Sequence, residues 1–342
     1  MKEENKTCLI VYNMYSSDQV SGDTIDKEDS AAEVCDDMDA IKKALKEDGF
    51  TVRIQGIRKI TPKLIENIIE INPDVIFNLC ESLNGNSKSE MHVAGLFDLL
   101  KIPYTGSPAF SLGLALNKIK AKQILKTIGV PIPPSVLIPP GEEFKADDLT
   151  PPYIVKPVGE DGSSGIFSKS VVNTAEEVNE LTKKIHKNYK QPALVEEFIE
   201  GREFTVFVVG DKDPRVLAIA EIDFSNFPKG EPKIISYHAK WDIRSPLFRT
   251  SEHLLCPADI PASLKSRIER IALSTFKEIG CRDYVRIDMR VSENRRVYVL
   301  EVNTNPYLDP SAGFSQACES AGITYNDFIK EVIGRAMQRR KK

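Results

Sequence analysis

The chain has 342 residues, of which 41% are hydrophobic and 28% charged, and its net charge is −4. These values are typical of a globular protein of two or three domains, and the lack of a basic excess argues against a nucleic-acid partner. No apolar stretch approaches membrane-spanning length and the first residues do not resemble a signal peptide, so no membrane partner is expected. The six cysteines form no CxxC pair, which predicts reduced thiols in the cytoplasm.

The first hundred residues alternate between strand and helix patterns. The predicted strands are residues 9–12, 51–54 and 74–78, and the predicted helices are residues 31–48, 62–71 and 92–100. This alternation predicts a parallel sheet with helices on both faces. Because ligands of such sheets bind at the carboxyl ends of the strands, the residues after each strand form the expected rim of a site.

The rest of the chain has a different pattern, richer in strands. A predicted helix, residues 117–129, ends before three closely spaced prolines. The strands predicted after it are residues 153–156, 193–198, 203–209 and 216–222, with a hairpin near residues 283–305. The helices predicted in this part are residues 175–186, 262–279 and 325–336.

A small polar loop follows the strand that ends at Lys156. Its sequence is Glu160-Asp161-Gly162-Ser163-Ser164-Gly165. Glycine lets backbone N–H groups approach an anion and serine hydroxyls add donors, so this loop could cover phosphates. The GxxxxGK[ST] pattern of a Walker A motif is absent. The alternative interpretation is an ordinary hairpin turn.

The segment from Leu194 to Val206 places acidic residues at the margins of two strands. Glu196 lies near the end of the first strand and Glu203 near the start of the second. A purine needs an apolar slot with backbone hydrogen bonds, and a ribose needs a carboxylate acceptor. The alternative is an inter-domain linker with solvated acids.

The hairpin in the last quarter of the chain is the most informative segment. Asp288 lies in its first strand, and Glu301 and Asn303 lie in its second. Residues two apart on a strand face the same way, so Glu301 and Asn303 share a face that strand pairing could extend to Asp288. Two carboxylates and an amide are suitable ligands for Mg²⁺. The alternative is an exposed acidic hairpin.

Taken together and in chain order, several segments resemble the ATP-grasp superfamily and, within it, the D-alanine–D-alanine ligases. The resemblance extends over residues 74–333. It rests on Pro103-Tyr104-Thr105-Gly106-Ser107, Asn117-Lys118, Val155-Lys156-Pro157, Gly162-Ser163-Ser164-Gly165, residues 196–206, Ala239-Lys240, Arg286-Ile287-Asp288 and Glu301-Val302-Asn303-Thr304. Lys118 and Lys240, taken singly, would be interpreted as surface lysines.

The resemblance implies an α/β fold of three domains, with an N-terminal parallel-sheet (Rossmann-like) domain at residues 1–115. A central ATP-grasp lid domain would follow at residues 116–200, and a catalytic ATP-grasp domain at residues 201–342. The implied reaction is phosphorylation of a carboxylate by ATP, followed by attack of an amine on the acyl phosphate. The implied partners are therefore small-molecule carboxylate and amine substrates, and a homodimer is compatible with the family.

The resemblance also implies roles for individual residues. The residues implied to bind ATP are Lys118 and Lys156 at the phosphates, Ser163 and Ser164 in the covering loop, Glu196, Glu197, Phe198 and Ile199 at adenine, and Glu203 at the ribose. Asp288, Glu301 and Asn303 would hold two Mg²⁺ ions, for which Mn²⁺ is an alternative. Arg286 would stabilise the oxyanion, and Lys240 would lie near the γ-phosphate or the carboxylate of the second substrate.

The substrate half of the family pattern is poorly matched. The signature that grips the amine of the first substrate is missing, and Glu33 is the nearest candidate in that region. Glu81 follows the third strand where the ligases carry a His-Gly pair, and Tyr307 stands where they carry glycine. Ser311 lies close to the position of their substrate-binding serine. These departures predict an ATP-dependent carboxylate–amine ligase whose substrates differ from D-alanine.

Two alternatives remain open on the sequence alone. One is an authentic D-alanine–D-alanine ligase. The other, from a different functional class, is a regulator that binds ATP without turnover.

Overall fold

Three separate β-sheets organise the chain in the computed structural model, which describes residues 6–14, 38–146, 149–160, 162–248 and 254–339. The first sheet has the order β2–β1–β3, with both strand pairs parallel. Its strands are β1 (Thr7–Asn13), β2 (Thr51–Ile57) and β3 (Val75–Leu79). The helices of this part are α1 (38–47 within the described residues), α2 (Pro62–Ile71), α3 (Glu90–Leu99) and α4 (Ala109–Leu116). The predicted parallel sheet is therefore confirmed.

Local sequence explains which of these helices could be predicted. Helix α2 begins where the Thr61 hydroxyl accepts from the Leu64 N–H at 3.2 Å, with Pro62 in its first turn. It ends at Asn72, whose φ of 46° is in the left-handed region. Helix α4 is not predicted, because its sequence AFSLGLAL is apolar at almost every position and shows no amphipathic period.

The second sheet is antiparallel and lies in the middle of the chain. Its strands are β4 (Ser135–Ile138), β5 (Tyr153–Pro157), β6 (Val171–Val172) and β7 (Ala193–Glu197), in the order β4–β7–β5–β6. Helix α6 (Ala175–Tyr189) begins at a capping box formed by Thr174 and Glu177. Strands and helix bury a hydrophobic cluster of their own, which includes Phe144, Tyr153, Val155, Val178 and Ile185.

The third sheet is also antiparallel and has five strands in the order β10–β9–β8–β11–β12. These are β8 (Arg202–Gly210), β9 (Arg215–Ile222), β10 (Leu254–Leu255), β11 (Asp283–Val291) and β12 (Val297–Asn303). Further α-helices among the described residues are α5 (Lys118–Thr127), α7 (Tyr237–Trp241), α8 (Ala262–Ile279), α9 (Gly313–Ser320) and α10 (Tyr325–Gln338). None of the helices in the described part of the chain is long and apolar enough to cross a membrane.

The two faces of the third sheet have different neighbours. Phe204 and Val206 on β8 pack in one hydrophobic cluster with α5 and α8. Phe207 and Val209, on the other face, pack with α9, α10 and the first sheet. Glu203 and Thr205 lie on this second face beyond the packed region, where the sheet lines a cavity.

Each sheet falls within one of the three predicted domain ranges. Helix α5 is an exception. The prediction placed this helix with the central domain, but it packs against the third sheet. Ala121 and Leu125 of α5 pack with Phe276 of α8 and Val299 of β12. The division into three domains remains a prediction.

A buried ion pair ties the last helix to the N-terminal part of the chain. Asp283 is fully buried, and its carboxylate accepts from Arg339 Nη1 at 2.8 Å and from Arg339 Nη2 at 2.7 Å. The Gly106 N–H donates to the same carboxylate at 2.8 Å, and Arg339 Nη2 also donates to the Tyr104 carbonyl at 2.7 Å. Burial raises the pKa of Asp283, and Arg339 opposes that rise.

Replacing Arg339 with methionine should lower the free energy of unfolding by about 3 kcal/mol, because the change leaves a buried carboxylate without its cation. The decrease can be measured by urea denaturation followed by circular dichroism. Arg335→Met is the matched control, since Arg335, four residues before Arg339, pairs with Glu331 near the surface at 2.8 Å. In that control, the free energy of unfolding should fall by less than about 1 kcal/mol. Equal losses in the two variants would contradict the role of the buried pair.

Candidate active site

A large cavity of about 720 Å³ is lined by residues of the second and third sheets and by residues that follow the first sheet. Fifteen of the predicted site residues line it: Glu81, Lys156, Ser163, Ser164, Glu196, Glu197, Phe198, Ile199, Glu203, Lys240, Arg286, Asp288, Glu301, Asn303 and Tyr307. Lys118 lies behind this lining, in contact with Glu301. Glu33 lies outside the described residues. The structure therefore brings together most of a residue set that is spread over more than 200 positions of the chain.

Strands β11 and β12 form the hairpin that carries Asp288, Glu301 and Asn303, which we call the carboxylate hairpin. Its strands pair so that Asp288 shares a face with Glu301 and Asn303. Asp288 of β11 lies directly opposite Glu301 of β12, and Arg286 lies opposite Asn303. The Arg286 guanidinium donates to Asp288, with Nη2 at 2.9 Å from Oδ2 and Nε at 3.1 Å from Oδ1. Thr205 of β8 also donates to Asp288 Oδ1, at 3.2 Å. One face of three adjacent strands therefore concentrates the charged groups of the site.

Glu301 is held in its ionised form. Lys118 Nζ lies 2.7 Å from Glu301 Oε1 and also donates to the carbonyl of Glu160. Burial alone would raise the pKa of Glu301, but Lys118, followed by Lys156 and Arg286, lowers it to about 2. The carboxylate is therefore negative throughout the physiological range of pH.

These residues fit a divalent cation by ligand type. Asp288 and Glu301 offer carboxylate oxygens on adjacent strands, and Asn303 adds an amide oxygen two residues after Glu301. The Asn303 oxygen accepts one bond, from the Asn305 N–H at 3.1 Å, which leaves its second lone pair for another partner. Hard oxygen ligands of this kind are what Mg²⁺ prefers.

A buried cluster of two lysines and a glutamate closes the cavity on the side of the second sheet. Glu196 is only 1% exposed, and its two oxygens lie 2.5 Å from Lys122 Nζ and 2.6 Å from Lys156 Nζ. Burial would raise the pKa of Glu196, but the two lysines lower it. Burial lowers the pKa of Lys122 to about 8. Glu196 thus orients Lys156, in addition to its predicted place beside adenine.

Lys122 is a site residue that the sequence analysis missed. It lies four residues after Lys118 in α5, so both side chains project from the same side of the helix. That spacing was the available signal. Its partner Glu196 is 74 positions away, and only the tertiary fold joins them.

Arg290 is the second residue that the sequence analysis missed. It is 2% exposed and holds Glu203, with Nη2 at 2.6 Å and Nε at 2.9 Å from Oε2. Its Nη1 donates to the Ile199 carbonyl at 2.8 Å, and its guanidinium lies 4.6 Å from the centre of the Phe198 ring. Arg290 follows Asp288 by two residues on the same strand face, which was a signal in the sequence.

The glycine- and serine-containing loop contacts the segment that carries Lys240. The Ser163 hydroxyl donates to the Ile235 carbonyl at 2.9 Å, and the Tyr237 N–H donates to the Ile166 carbonyl at 2.7 Å. Ser163 and its neighbour Gly162 have φ values of 64° and 61°, and glycine adopts this conformation without strain. These two bonds hold the loop against helix α7.

The residues on the N-terminal side of the cavity come from the end of β3 and the start of α3. Glu81 and Ser82 line the cavity together with Glu90. Glu90 accepts from Asn305 Nδ2 at 2.9 Å, and the same nitrogen donates to the Cys80 carbonyl at 3.2 Å. Glu90 and Asn305 therefore join the first sheet to the segment that follows the carboxylate hairpin.

Tyr307 and Ser311, two of the predicted substrate residues, differ in their position relative to the cavity. Tyr307 lines the cavity, as expected of a residue close to the substrates. Ser311 is exposed and does not line it, because its hydroxyl donates to Asp309 Oδ1 and its N–H donates to the same oxygen at 2.6 Å. The next residue, Ala312, lines the cavity instead. A sequence cannot show which of two adjacent residues in a turn faces inward.

The sequence matches known ligases over most of its length. Residues 124–334 match the family model described as D-ala D-ala ligase C-terminus. A D-alanine--D-alanine ligase of Carboxydothermus hydrogenoformans is 32% identical over 89% of this chain and 93% of that protein. An uncharacterized protein of Sinorhizobium fredii, y4sG, is 31% identical over 88% of this chain and 87% of that protein.

The fold is shared as well. The crystal structure of a D-alanine--D-alanine ligase from Bacillus anthracis complexed with ATP is 21% identical in sequence and superimposes with a TM-score of 0.72. The match covers 98% of each chain. With the family match over 211 residues and relatives above 30% identity, these findings confirm the resemblance. The chain belongs to the D-alanine–D-alanine ligase family of ATP-grasp carbon–nitrogen ligases.

Proposed function

We propose that this protein uses ATP to join a carboxylic acid to an amine, with amino-acid-like substrates other than two D-alanine molecules. The observation that carries the proposal is the shared strand face on which Arg286, Asp288, Glu301 and Asn303 meet one cavity. Lys156 and Lys240 line the same cavity. Phosphoryl transfer depends mainly on positioning and on neutralisation of charge, and this set supplies both.

ATP is the expected nucleotide, since the Bacillus anthracis relative is described as complexed with it. The slot for adenine would be formed by Phe198 and Ile199, with Glu203 at the ribose and Lys156 at the phosphates. Asp288, Glu301 and Asn303 would hold two Mg²⁺ ions, for which Mn²⁺ is an alternative. Bound there, the ions would supply Lewis-acid neutralisation of the phosphate oxygens.

The chain's own residues would carry the rest of the reaction. Arg286 is placed to stabilise the oxyanion that forms when the amine attacks the acyl phosphate, because Asp288 fixes its guanidinium. Lys240 would bind the γ-phosphate or the carboxylate of the second substrate. The loop that contains Ser163 and Ser164 would exclude water from the acyl phosphate.

We place the enzyme in the cytoplasm, since Cys8, Cys80, Cys256, Cys281 and Cys318, the cysteines among the described residues, are free. A homodimer is proposed from the family resemblance alone. Light scattering coupled to size-exclusion chromatography would decide between monomer and dimer.

Phosphate release with a panel of D- and L-amino acids tests the proposed activity. We expect ATP-dependent release with at least one acid–amine pair. With D-alanine alone, kcat/KM should stay below about 10⁴ M⁻¹s⁻¹. A higher value would identify an authentic D-alanine–D-alanine ligase. Release with no pair at all, together with tight ATP binding, would instead favour the non-catalytic regulator.

The loop of residues 162–166 should become protected when nucleotide binds. Its small residues bury little surface, and two hydrogen bonds, one from Ser163 to the Ile235 carbonyl and one from the Tyr237 N–H to Ile166, join it to the segment at the start of helix α7. Hydrogen exchange measured by mass spectrometry should slow there in the presence of Mg²⁺ and a non-hydrolysable ATP analogue. Helix α8, which does not line the cavity, should show little change and serves as the internal control. Identical exchange of the loop in both states would contradict a closing lid.

A further inference from the structure

The face of the third sheet that lines the cavity is charged near one edge of the sheet and apolar near the other. Strands β12 and β11 present Glu301, Asp288 and Arg290. At the opposite edge, β9 and β10 present Ile222 and Leu254, which lie directly opposite each other and both line the cavity. The charged half of the site is therefore followed by an apolar half.

The apolar half is continuous. A side chain at Gly313 would come within 2.7 Å of Phe207 Cζ and 3.1 Å of Leu254 Cδ1, so all three residues are in close contact. Ala312, Gly313 and Phe207 also line the cavity. We call Phe207, Ile222, Leu254, Ala312 and Gly313 the apolar sector.

The apolar sector begins next to the reacting groups. Phe207 of β8 lies directly opposite Arg286 of β11. The nearby hydroxyl of Ser311 is engaged with Asp309 outside the cavity, so that serine adds no polar group to the sector.

The nucleotide base does not need this surface. Phe198, the expected adenine neighbour, packs against Arg290 of β11, whereas Leu254 lies on β10. These strands are three positions apart in the sheet, which corresponds to about 14 Å at ordinary strand spacing. An apolar surface at that distance from the base is available to another ligand.

We propose that the apolar sector binds the side chain of an amino-acid substrate, and that this side chain is a branched aliphatic or aromatic group. The inference rests on the proposed ligase function. It narrows the substrate class, because a pocket lined in this way favours a leucine- or phenylalanine-sized group over a methyl or a charged group. Each additional buried carbon adds to that preference, so discrimination of leucine over alanine should be on the order of 10-fold to 100-fold in kcat/KM.

The test uses the full-length protein with Mg²⁺ and ATP. Phosphate release and product mass are measured with alanine, leucine, phenylalanine, lysine and glutamate in both D and L forms, singly and in pairs. Leucine or phenylalanine should be preferred in one of the two substrate positions. Ala312→Leu fills the sector, and Leu254→Ala enlarges it. Both should reduce the leucine-to-alanine ratio of kcat/KM at least several-fold while KM for ATP stays constant.

Leu255→Ala is the matched control. Leu255 is adjacent to Leu254 in the chain, does not line the cavity and is 48% exposed, so its replacement should leave the ratio unchanged. The proposed role of the apolar sector is wrong if turnover favours alanine or a charged side chain and if neither sector variant changes the leucine-to-alanine ratio of kcat/KM. That result would leave the proposed ligase function unaffected. Absence of amide formation with every pair overturns the ligase function, and the sector proposal falls with it.

Discussion

Glu301→Gln is expected to reduce turnover by a factor on the order of 10³ while the fold stays intact. The variant keeps the size of the side chain and removes its charge. Glu301 is the carboxylate whose pKa Lys118 helps to lower to about 2, and it lies opposite Asp288 on the neighbouring strand. Loss of one anionic ligand weakens any divalent cation bound there. The Mg²⁺ concentration for half-maximal phosphate release should therefore also rise.

Glu331→Gln provides a matched control for this variant. Hydrogen bonds from Arg215, followed by those from Arg335, lower the pKa of Glu331 to about 2 as well, but Glu331 lies on α10 and does not line the cavity. Its replacement should leave kcat and the Mg²⁺ dependence unchanged. Near-normal activity of Glu301→Gln at ordinary Mg²⁺ concentration would contradict the proposed role of Glu301 as a metal ligand.

The carboxylate hairpin shows what the two-residue period of a strand can predict and what it cannot. The two-residue period placed Glu301 and Asn303 on one face, and the polar turn between the strands implied antiparallel pairing with Asp288. The register that sets Asp288 against Glu301 includes a bulge between Asp288 and Met289, and no feature of the sequence marks that bulge. Local pattern therefore predicted that Asp288, Glu301 and Asn303 could share a face, while the exact pairing depended on the packing of the whole sheet.

Contacts between distant segments account for most of what the sequence could not show. Lys122 and Glu196 are 74 positions apart, and Arg290 and Glu203 are 87 positions apart. Each pair is buried, and a buried charge is tolerated only next to its partner. The sequence displays the charges but not their neighbours, so Lys122 and Arg290 resemble ordinary surface residues until the sheets are assembled.

We expect Arg290 to contribute to nucleotide binding, because it fixes Glu203, the residue proposed to contact the ribose. Two of its nitrogens donate to the same oxygen of Glu203, and a third nitrogen holds the Ile199 carbonyl next to the predicted adenine slot. Burial raises the pKa of Glu203, and Arg290 opposes that rise. Without the arginine, the carboxylate would take up a proton or turn away, and its capacity to accept from a ribose hydroxyl would be lost.

Arg290→Met should therefore raise KM for ATP on the order of 10-fold to 100-fold, the range expected for lost hydrogen bonds to a charged group, with a smaller change in kcat. It should also reduce the preference for ATP over 2′-deoxy-ATP, because a misplaced Glu203 no longer distinguishes the two sugars. Steady-state kinetics with both nucleotides measures each effect. Arg202→Met is the matched control, since Arg202 pairs with Glu221 at 2.5 Å and lies over the Phe204 ring but does not line the cavity. A nucleotide preference that survives in Arg290→Met would show that the Arg290–Glu203 pair only stabilises the sheet.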